Sequence, residues 1–448
     1  MPAVRAARRT TELGLILLAS LVVAGAYVLA SLGKSASLPA NIVPFLVVIL
    51  GLLVIAHVAT RRFAPAADGI LLPLAGLLNG IGYVFIARLD PDLAALQSTW
   101  TAVGVGAFVG TLVLVRHARD LERYRYTFAL LGIGLLLMPL LPIIGSSVNG
   151  SRIWIRLGPM SFQPGEIAKI VLAVFFAGYL VEKREVLAMA RRVGPVMIPE
   201  LKFRYIGPLL GAWGFSLVVM VFQTDLGSSL LFFALFVVML WVATGRGFYL
   251  SSGAVLFIAG ALMAWTMFDH VQQRVEIWLD PWADASGRGF QVVQALFAFG
   301  TGGMTGTGLA LGSPGKIPAA TTDFIFAAIG EELGLLGTTA VIASFLLIVG
   351  AGIRIALRAR SDFEQLLALG LTAIIGIQSF IIIGGVTRLV PLTGITLPFV
   401  SYGGSSLIAN YILLAILMRI SADTDGREPP PGAAAAEPGP DPTVGVVR

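Results

Sequence analysis

The chain has 448 residues, of which 57% are hydrophobic and 12% are charged, and its mean hydropathy is +0.88. Soluble globular domains carry about 25% charged residues, so this composition excludes a soluble protein and indicates an integral membrane protein. Because the sequence contains no cysteine, it also excludes disulfides, thiol catalysis and cysteine metal sites. Its three histidines, His57, His117 and His270, are too scattered to predict a metal centre.

Apolar segments recur along the chain and predict an all-α polytopic membrane protein with about 12 transmembrane helices. Most of them reach the roughly 17 to 25 residues that a spanning helix needs. The first follows Arg5, Arg8 and Arg9, and its length favours an uncleaved anchor over a signal peptide. The predicted spans are 13–32, 41–60, 70–87, 98–115, 127–145, 166–181, 206–222, 227–244, 250–268, 323–349, 365–386 and 397–418.

The distribution of Lys and Arg predicts the orientation of these spans. With a cytoplasmic N-terminus, the cytoplasmic segments hold 22 of the 31 basic residues and the outer loops hold eight. Since cytoplasmic loops retain Lys and Arg, both termini are predicted to be cytoplasmic and the protein to lie in the inner membrane. The net charge of +6 then reflects topology and gives no reason to predict nucleic-acid binding.

The two ends of the chain differ from its centre. Residues 1–12 form a predicted basic cytoplasmic arm, and two additional N-terminal helices follow within 13–69. The segment 421–448 is rich in Pro, Gly and Ala and is predicted to be a disordered cytoplasmic tail. The working membrane core is therefore expected within 70–420.

Three loops are long enough to contact the membrane surface or to form a binding pocket. The basic inner loop 182–204 either enforces the topology or lies on anionic membrane lipid. The large outer loops 146–165 and 269–322 combine Trp with Arg. Such a combination serves either to anchor the chain at the membrane interface or to form a pocket for a phosphate-bearing sugar lipid, and composition does not separate the two.

Two short motifs carry the first ionisable groups at the start of predicted spans. In SFQPGEIAK, residues 161–169, Glu166 and Lys169 are three residues apart and therefore share one helix face. They form either a self-neutralising pair or a functional pair that faces a cavity. In QTDLGSS, residues 223–229, Asp225 is predicted to cap the following helix with its side-chain oxygen.

The stretch from 297 to 334 is the most informative part of the sequence. Its loop, GLALGSPGKI at 308–317, carries Lys316 but is not a nucleotide-binding loop, because Ala310 and Ile317 stand where glycine and a hydroxyl residue are needed. Asp323 follows at the start of a predicted helix, where the helix dipole favours the ionised form. It is either a helix-start residue or a base.

Further along this helix, Glu331 would lie about 12 Å deeper than Asp323, so the two cannot form a close carboxylate pair. The spacing therefore permits a mechanism with one carboxylate. In the last motif, PLTGITLPFVSYGGSS at 391–406, the hydroxyls and glycines around Ser401 either allow close helix packing or line a polar cavity.

Four motifs in order resemble the SEDS family (shape, elongation, division and sporulation), the RodA/FtsW type, over about residues 70–420. They are RIWIRLGPMSFQPGEIAK at 152–169, QTDLGSS at 223–229, TDFIFAAIGEELG at 322–334 and GITLPFVSYGGSS at 394–406. The resemblance implies a ten-helix core, to which the first two spans would be an addition of the kind seen in actinobacterial RodA-like members. The sequence departs from the family pattern at Gly165, Ala319, Thr321, Val386 and Arg388.

The resemblance also implies an activity. Such proteins are peptidoglycan glycosyltransferases that polymerise lipid II into a glycan strand at the outer face of the cytoplasmic membrane, for elongation or division. They work with a class B penicillin-binding protein, a transpeptidase, and with other proteins of the elongation or division complex. Asp323 matches the family's essential aspartate, and Arg152, Glu166 and Lys169 match its outer-loop arginine and its glutamate–lysine motif.

The chemistry of this reaction agrees with a single base. A pyrophosphate leaves without being protonated, so Asp323 alone suffices to accept the proton of the attacking hydroxyl. Arg152, with Lys316 or Arg388, is predicted to stabilise the leaving pyrophosphate, and Ser401 is predicted to contact substrate. The motifs require no cofactor, and a divalent cation (Mg²⁺ or Mn²⁺) is kept as an open prediction.

Two alternative functions stay open on the sequence alone. Twelve spans also suit a flippase or transporter of the lipid-linked precursor, although most of the polar candidates gather at one face instead of the membrane midplane. A non-catalytic membrane scaffold is the third hypothesis, and it would leave Asp323 dispensable.

Overall fold

The structure, a computed structural model, describes residues 2–35, 42–142, 144–148, 151–157, 160–193, 196–199 and 203–426. This part of the chain is mainly helical. Its α-helices are α1 Pro2–Ser35, α2 Ile42–Phe63, α3 Leu71–Leu89, α4 Pro91–Leu114, α5 Arg125–Leu137, α6 Pro164–Ala188, α7 Phe203–Phe222, α8 Leu226–Thr244, α9 Gly247–Met267, α10 Asp269–Leu279, α11 Phe290–Gly302, α12 Ile325–Arg358, α13 Asp362–Val386 and α14 Gly404–Gly426.

Among the described residues, nine helices are long and apolar enough to cross a membrane. The predicted class, a helical multi-pass membrane protein, is therefore confirmed, while the count of twelve spans stays a prediction. The helix α14 continues to Gly426, within the segment predicted as a tail, and residues 427–448 lie outside the described residues.

Two loops contain short antiparallel sheets that an all-α prediction does not include. One sheet has the order β1-β2-β3, with β1 Gly145–Val148, β2 Ser151–Leu157 and β3 Met160–Phe162. The other pairs β4 Ala190–Val193 with β5 Val196–Pro199. The helix in the predicted span 127–145 is shorter than expected, because α5 stops at Leu137, just before the Met138–Leu140 turn that contains Pro139, and the first sheet begins at Gly145.

The two additional N-terminal helices pack against α3 through its glycines. A Cβ added at Gly80 would collide with Val23 of α1, and one added at Gly76 would lie 2.7 Å from Leu53 of α2. At the start of α1, the buried Glu12 accepts a hydrogen bond from Arg9 and lies 3.0 Å from Nδ1 of His57. Close helix contact therefore joins this pair of helices to α3, and the buried polar cluster joins α1 to α2.

The polar contacts between connecting segments fall into two groups, one at each end of the bundle. At the end that contains Arg9, they join Arg9 to Pro65, Asp68 to Ser421, Ala118 to Asp423 and Arg184 to Asp362. At the end that contains Asp323, they join Lys34 to Arg88, Arg152 to Gln223, Trp278 to Arg388 and Ser401 to Thr322. In each contact, the predicted topology places both partners on the same side of the membrane. The contacts therefore agree with a chain whose connecting segments alternate between the two sides.

The helix α12 is interrupted at Gly334, whose φ of 64° and ψ of −161° are not helical. The glycine-rich loop that follows α11 forms a hydrogen bond with α12 at this interruption: the backbone amide of Leu335 donates to the carbonyl of Gly303. The carboxylate of Glu331 accepts from the amide of Ser313 at 2.7 Å.

Its neighbour Glu332 accepts from the amide of Ala310 at 3.0 Å and forms an ion pair of 2.6 Å with Arg88. Both glutamates of α12 therefore serve to hold the loop, which explains why two ionisable groups are kept at this depth. Asp323, the third carboxylate of the stretch, is left for another role.

Candidate functional site

Four parts of the chain meet at the end of the bundle that contains Asp323: the start of α8, the helix α10, the turn before α12, and the connection 387–403 between α13 and α14. Gly227 allows the connection to lie directly on α8, because a Cβ there would collide with Ile395 and would lie 3.1 Å from the carbonyl oxygen of Thr393. The connection in turn contacts α10 and the turn before α12. The site is therefore assembled around residues 387–403.

At the centre of this assembly, Asp323 and Arg274 flank Gly394. A Cβ added at Gly394 would lie 3.7 Å from Oδ2 of Asp323 and 3.6 Å from Nη2 of Arg274. Gly394 is exposed, and both charged side chains are partly exposed. We refer to Asp323, Arg274 and Gly394 as the Gly394 notch. It offers a carboxylate and a guanidinium to any ligand that lies on the glycine.

The surroundings of Asp323 raise the pKa of its carboxyl group, which favours proton transfer. Burial raises the pKa of Asp323 to about 6, and the positive charge of Arg274 limits that rise. The sequence predicted that a helix start would favour the ionised form, but α12 begins only at Ile325 and burial dominates. With a pKa of about 6, the carboxylate is mostly ionised at neutral pH and is a better base than an ordinary aspartate.

The backbone next to Asp323 is held by the last motif of the sequence. The hydroxyl of Ser401 donates to the carbonyl of Thr322 at 2.6 Å, and the amide of Tyr402 donates to the carbonyl of Thr321 at 2.8 Å. Ser401 also accepts from the amide of Leu397 at 3.0 Å. Its hydroxyl thus fixes the turn that carries Asp323, and its predicted contact with substrate stays a prediction.

Backbone strain is concentrated in the same region. Among the described residues other than glycine, a positive φ occurs at Thr224, Ala310, Ala319, Arg388 and Phe399. All of them lie in connecting segments at the end of the bundle that contains Asp323. Because L residues adopt this conformation only when the surrounding structure imposes it, the strain indicates that these segments are held in a required shape.

The predicted pair of Glu166 and Lys169 is present and buried. Nζ of Lys169 lies 2.8 Å from Oε2 of Glu166 and donates at 2.8 Å to Oε1 of Gln378 on α13. The side-chain Nε2 of Gln378 then donates to the carbonyl of Thr396 at 2.8 Å. The pair therefore connects α6 and α13 to the connection that carries Gly394.

The predicted helix cap at Asp225 is confirmed, since its carboxylate accepts from the amide of Ser228 at 3.0 Å. Burial raises the pKa of Asp225. The same side chain lines a small cavity next to the sheet, together with Leu136, Pro139, Ile153, Gln163, Gly165, Gln223 and Ser228. Asp225 thus places a second carboxylate close to the site.

Three other predicted cations have different surroundings. Arg152 donates to the carbonyls of Pro139 and Leu141 at 3.1 and 3.3 Å, and Arg388 donates to those of Trp278 and Leu279 at 2.8 and 2.6 Å. Lys316 is exposed. A guanidinium has five N–H donors, so two such bonds leave both arginines able to bind an anion, and their predicted contact with pyrophosphate stays a prediction.

Two members of the notch, Arg274 and Gly394, were not among the predicted site residues. The signals for them were weak: Arg274 is one of two arginines in a Trp-containing outer loop, and Gly394 is one of 52 glycines.

Within the described residues, no group of three His, Asp or Glu side chains is placed to hold a metal ion. Since Mg²⁺ is often held by one or two carboxylates together with substrate phosphates, this finding does not test the divalent cation, which stays a prediction.

Fold and site together define a multi-pass membrane protein with a carboxylate–guanidinium centre that is open at one end of its helical bundle. The chain belongs to the FtsW/RodA/SpoVE family of cell cycle proteins, whose model matches residues 85–426. The family predicted from the four motifs is therefore confirmed.

Curated relatives support the same assignment. The chain is 46% identical over 426 residues to the peptidoglycan glycosyltransferase RodA of Mycobacterium tuberculosis strain H37Rv, covering 92% of this chain and 90% of that protein. It is 35% identical over 349 residues to a probable peptidoglycan glycosyltransferase FtsW of Geobacter metallireducens, covering 77% and 87%. Because the match to the mycobacterial RodA leaves only 8% of this chain uncovered, it extends into the N-terminal residues 1–69.

Two solved structures share the fold. One chain comes from work on the structural coordination of polymerization and crosslinking by a peptidoglycan synthase complex; its TM-score is 0.64 at 26% identity, covering 80% of this chain and 98% of that one. The Thermus thermophilus rod shape determining protein RodA matches with a TM-score of 0.54 at 24% identity and the same coverage, which supports the fold alone.

Proposed function

We propose that this protein is a peptidoglycan glycosyltransferase that polymerises lipid II into glycan strands at the outer face of the cytoplasmic membrane. The identity to proteins named for that activity extends over most of the chain. The observation that carries the proposal is the Gly394 notch, where Asp323 has a pKa of about 6 and faces a guanidinium across an exposed glycine.

In the proposed reaction, the 4-hydroxyl of one N-acetylglucosamine attacks the anomeric carbon of the N-acetylmuramic acid at the end of the growing strand. Asp323 accepts the hydroxyl proton while the new C–O bond forms. The bond from the anomeric carbon to the lipid pyrophosphate breaks, and its electron pair leaves with the pyrophosphate, which needs no proton. Attack from the opposite side converts the α-linked donor into a β linkage, and Asp323 then returns its proton to water.

The cations of the site have proposed electrostatic roles. Arg274 lies at the notch, where it can stabilise the negative charge that develops on the leaving pyrophosphate. The exposed Lys316, with Arg152 and Arg388, is proposed to bind the phosphates of the two lipid-linked substrates. Glu166, Lys169 and Ser401 are proposed to support substrate binding by holding the connection 387–403 and the turn before α12.

The setting of this activity is also part of the proposal. Both termini are proposed to be cytoplasmic, with the notch on the outer face and the catalytic core within 70–420; the family match at 85–426 supports that core. A class B penicillin-binding protein is the proposed partner in elongation or division, and the likeness to a chain from a peptidoglycan synthase complex supports it.

Purified full-length protein supplied with lipid II, alone and with its cognate class B penicillin-binding protein, tests the function. We expect glycan polymer, resolved by gel electrophoresis after the strands are labelled. If labelled lipid II instead crosses vesicle membranes without being polymerised, the protein is a flippase. If neither reaction occurs in the presence of the partner, the scaffold hypothesis holds.

Replacing Gly394 by alanine is expected to slow polymerisation by roughly 10-fold to 100-fold, the range that a small misplacement of reacting groups produces. The φ of 76° at this position is rarely adopted by L residues, and the new methyl group would touch both Asp323 and Arg274. The measurement is the initial rate of strand formation. Gly315→Ala is the matched control, since an added Cβ there meets open space, and a slow control would contradict the explanation.

A further inference from the structure

The helix α10 brings Arg274 to the notch, yet its packing against the bundle is weak. None of its residues, all of which the structure describes, is buried. Successive positions four residues apart share one face of a helix, so His270, Arg274 and Trp278 point the same way. Polar contacts therefore help to hold this face in place, beside the apolar contact that Ile277 makes with the core.

Those contacts come from the connection between α13 and α14. The indole N–H of Trp278 donates to the carbonyl of Arg388 at 3.1 Å. In return, Nε and Nη2 of Arg388 donate to the carbonyls of Trp278 and Leu279 at 2.8 and 2.6 Å. One turn earlier in α10, Nη1 of Arg274 donates to the carbonyl of Leu392 at 2.9 Å.

The reciprocal bonds have two physical consequences. The last carbonyls of a helix have no partner within the helix, so the guanidinium of Arg388 both satisfies them and complements the negative end of the helix dipole. The carbonyl of Arg388 can meet the indole because this residue has a φ of 66°, a conformation that is unfavourable for arginine. A strained residue that makes three bonds to one helix end is a feature that fixes geometry.

We propose that Arg388 and Trp278 form a latch that holds the end of α10, and that this latch keeps Arg274 opposite Asp323 across the Gly394 notch. Arg388 is then also a positioning residue, which acts on the reaction through Arg274 independently of the phosphate contact proposed for its charge. The inference deepens the proposed function and rests on it for its kinetic consequences. The position of α10, however, can be measured without any activity.

Two variants separate this role from direct binding of substrate by the charge of Arg388. Trp278→Phe keeps the charge and most of the ring but removes the indole donor. Arg388→Lys keeps the charge but loses the planar fork that reaches two carbonyls. We expect both to slow polymerisation by roughly 10-fold, because Arg274 moves from its place. If both variants polymerise at the wild-type rate, the latch is not required. The role of Arg388 is then direct binding of the substrate phosphates by its positive charge.

The pH profile gives a second kinetic readout. Arg274 holds the pKa of Asp323 down, so its displacement should move the acid limb of kcat/KM to higher pH in both variants. The other ionisable groups near Arg274, namely Asp225 and His270, are unchanged in them. Trp282→Phe and Arg288→Lys are matched controls, because both residues are exposed in the same outer loop, and their profiles should equal that of the wild type.

The position of α10 can be followed by spin labels, since the natural chain has no cysteine. Labels on Gln273→Cys of α10 and Asp92→Cys of α4, both at exposed positions, should give a narrow distance distribution. We expect a broad distribution in Trp278→Phe and Arg388→Lys. Narrow, unchanged distances in both variants would overturn the latch even if the protein polymerises lipid II. Conversely, broadened distances would uphold it even if no polymer forms.

Discussion

Asp323→Asn is expected to abolish glycan polymerisation while preserving the fold and the binding of the partner transpeptidase. The amide has nearly the shape of the carboxylate but cannot accept the proton of the attacking hydroxyl. General bases contribute roughly 100-fold to 10,000-fold to a rate, so the loss should be at least about 100-fold. The measurement is the initial rate of strand formation from lipid II, with thermal stability and complex formation measured on the same preparation.

Asp92→Asn provides the matched control for this substitution. Asp92 is an exposed aspartate in the first turn of α4, at the same end of the bundle. The Asp92→Asn variant should polymerise lipid II at the wild-type rate. If the Asp323 variant is equally active, the base is another group and the proposed mechanism is wrong, whereas a variant that also loses stability or its partner would point to a structural role for Asp323.

Much of this site can be predicted from the sequence because its interactions are local. The pair of Glu166 and Lys169 follows from a spacing of three residues, and the cap by Asp225 follows from its place before a helix. Asp323 stands out because ionisable groups are costly next to hydrocarbon. Glu331 and Glu332 are two more costly ionisable groups of the same stretch, but nothing in the sequence identifies the glycine-rich loop as what they bind.

The remaining features depend on contacts between distant segments. Arg274 meets Asp323 only because the connection 387–403 crosses both α10 and the turn before α12. Neither the hydrophobic periodicity nor any motif of the sequence predicts where that connection lies. The partner of Glu332, Arg88, comes from another helix for the same reason. The raised pKa of Asp323 is likewise a consequence of burial that only the assembled fold provides.

Arg274→Gln is expected to impair polymerisation in two separable ways. The acid limb of the wild-type kcat/KM profile should fall with a midpoint of about pH 6, where Asp323 becomes protonated. Since the cation of Arg274 favours the ionised carboxylate, its removal raises the pKa of Asp323, and the limb should move to higher pH. At neutral pH a larger fraction of the variant therefore carries a protonated, inactive base.

The second effect of Arg274→Gln should persist above the acid limb, where Asp323 is fully ionised in both proteins. A remaining deficit of roughly 100-fold to 1,000-fold is expected there, because the charge that develops on the leaving pyrophosphate has lost a preorganised partner. Arg274→Lys keeps a positive charge, so its acid limb should stay close to that of the wild type. A rate equal to wild type at alkaline pH in Arg274→Gln would show that Arg274 acts only on the base, and an unshifted acid limb would show that it acts only on the leaving group.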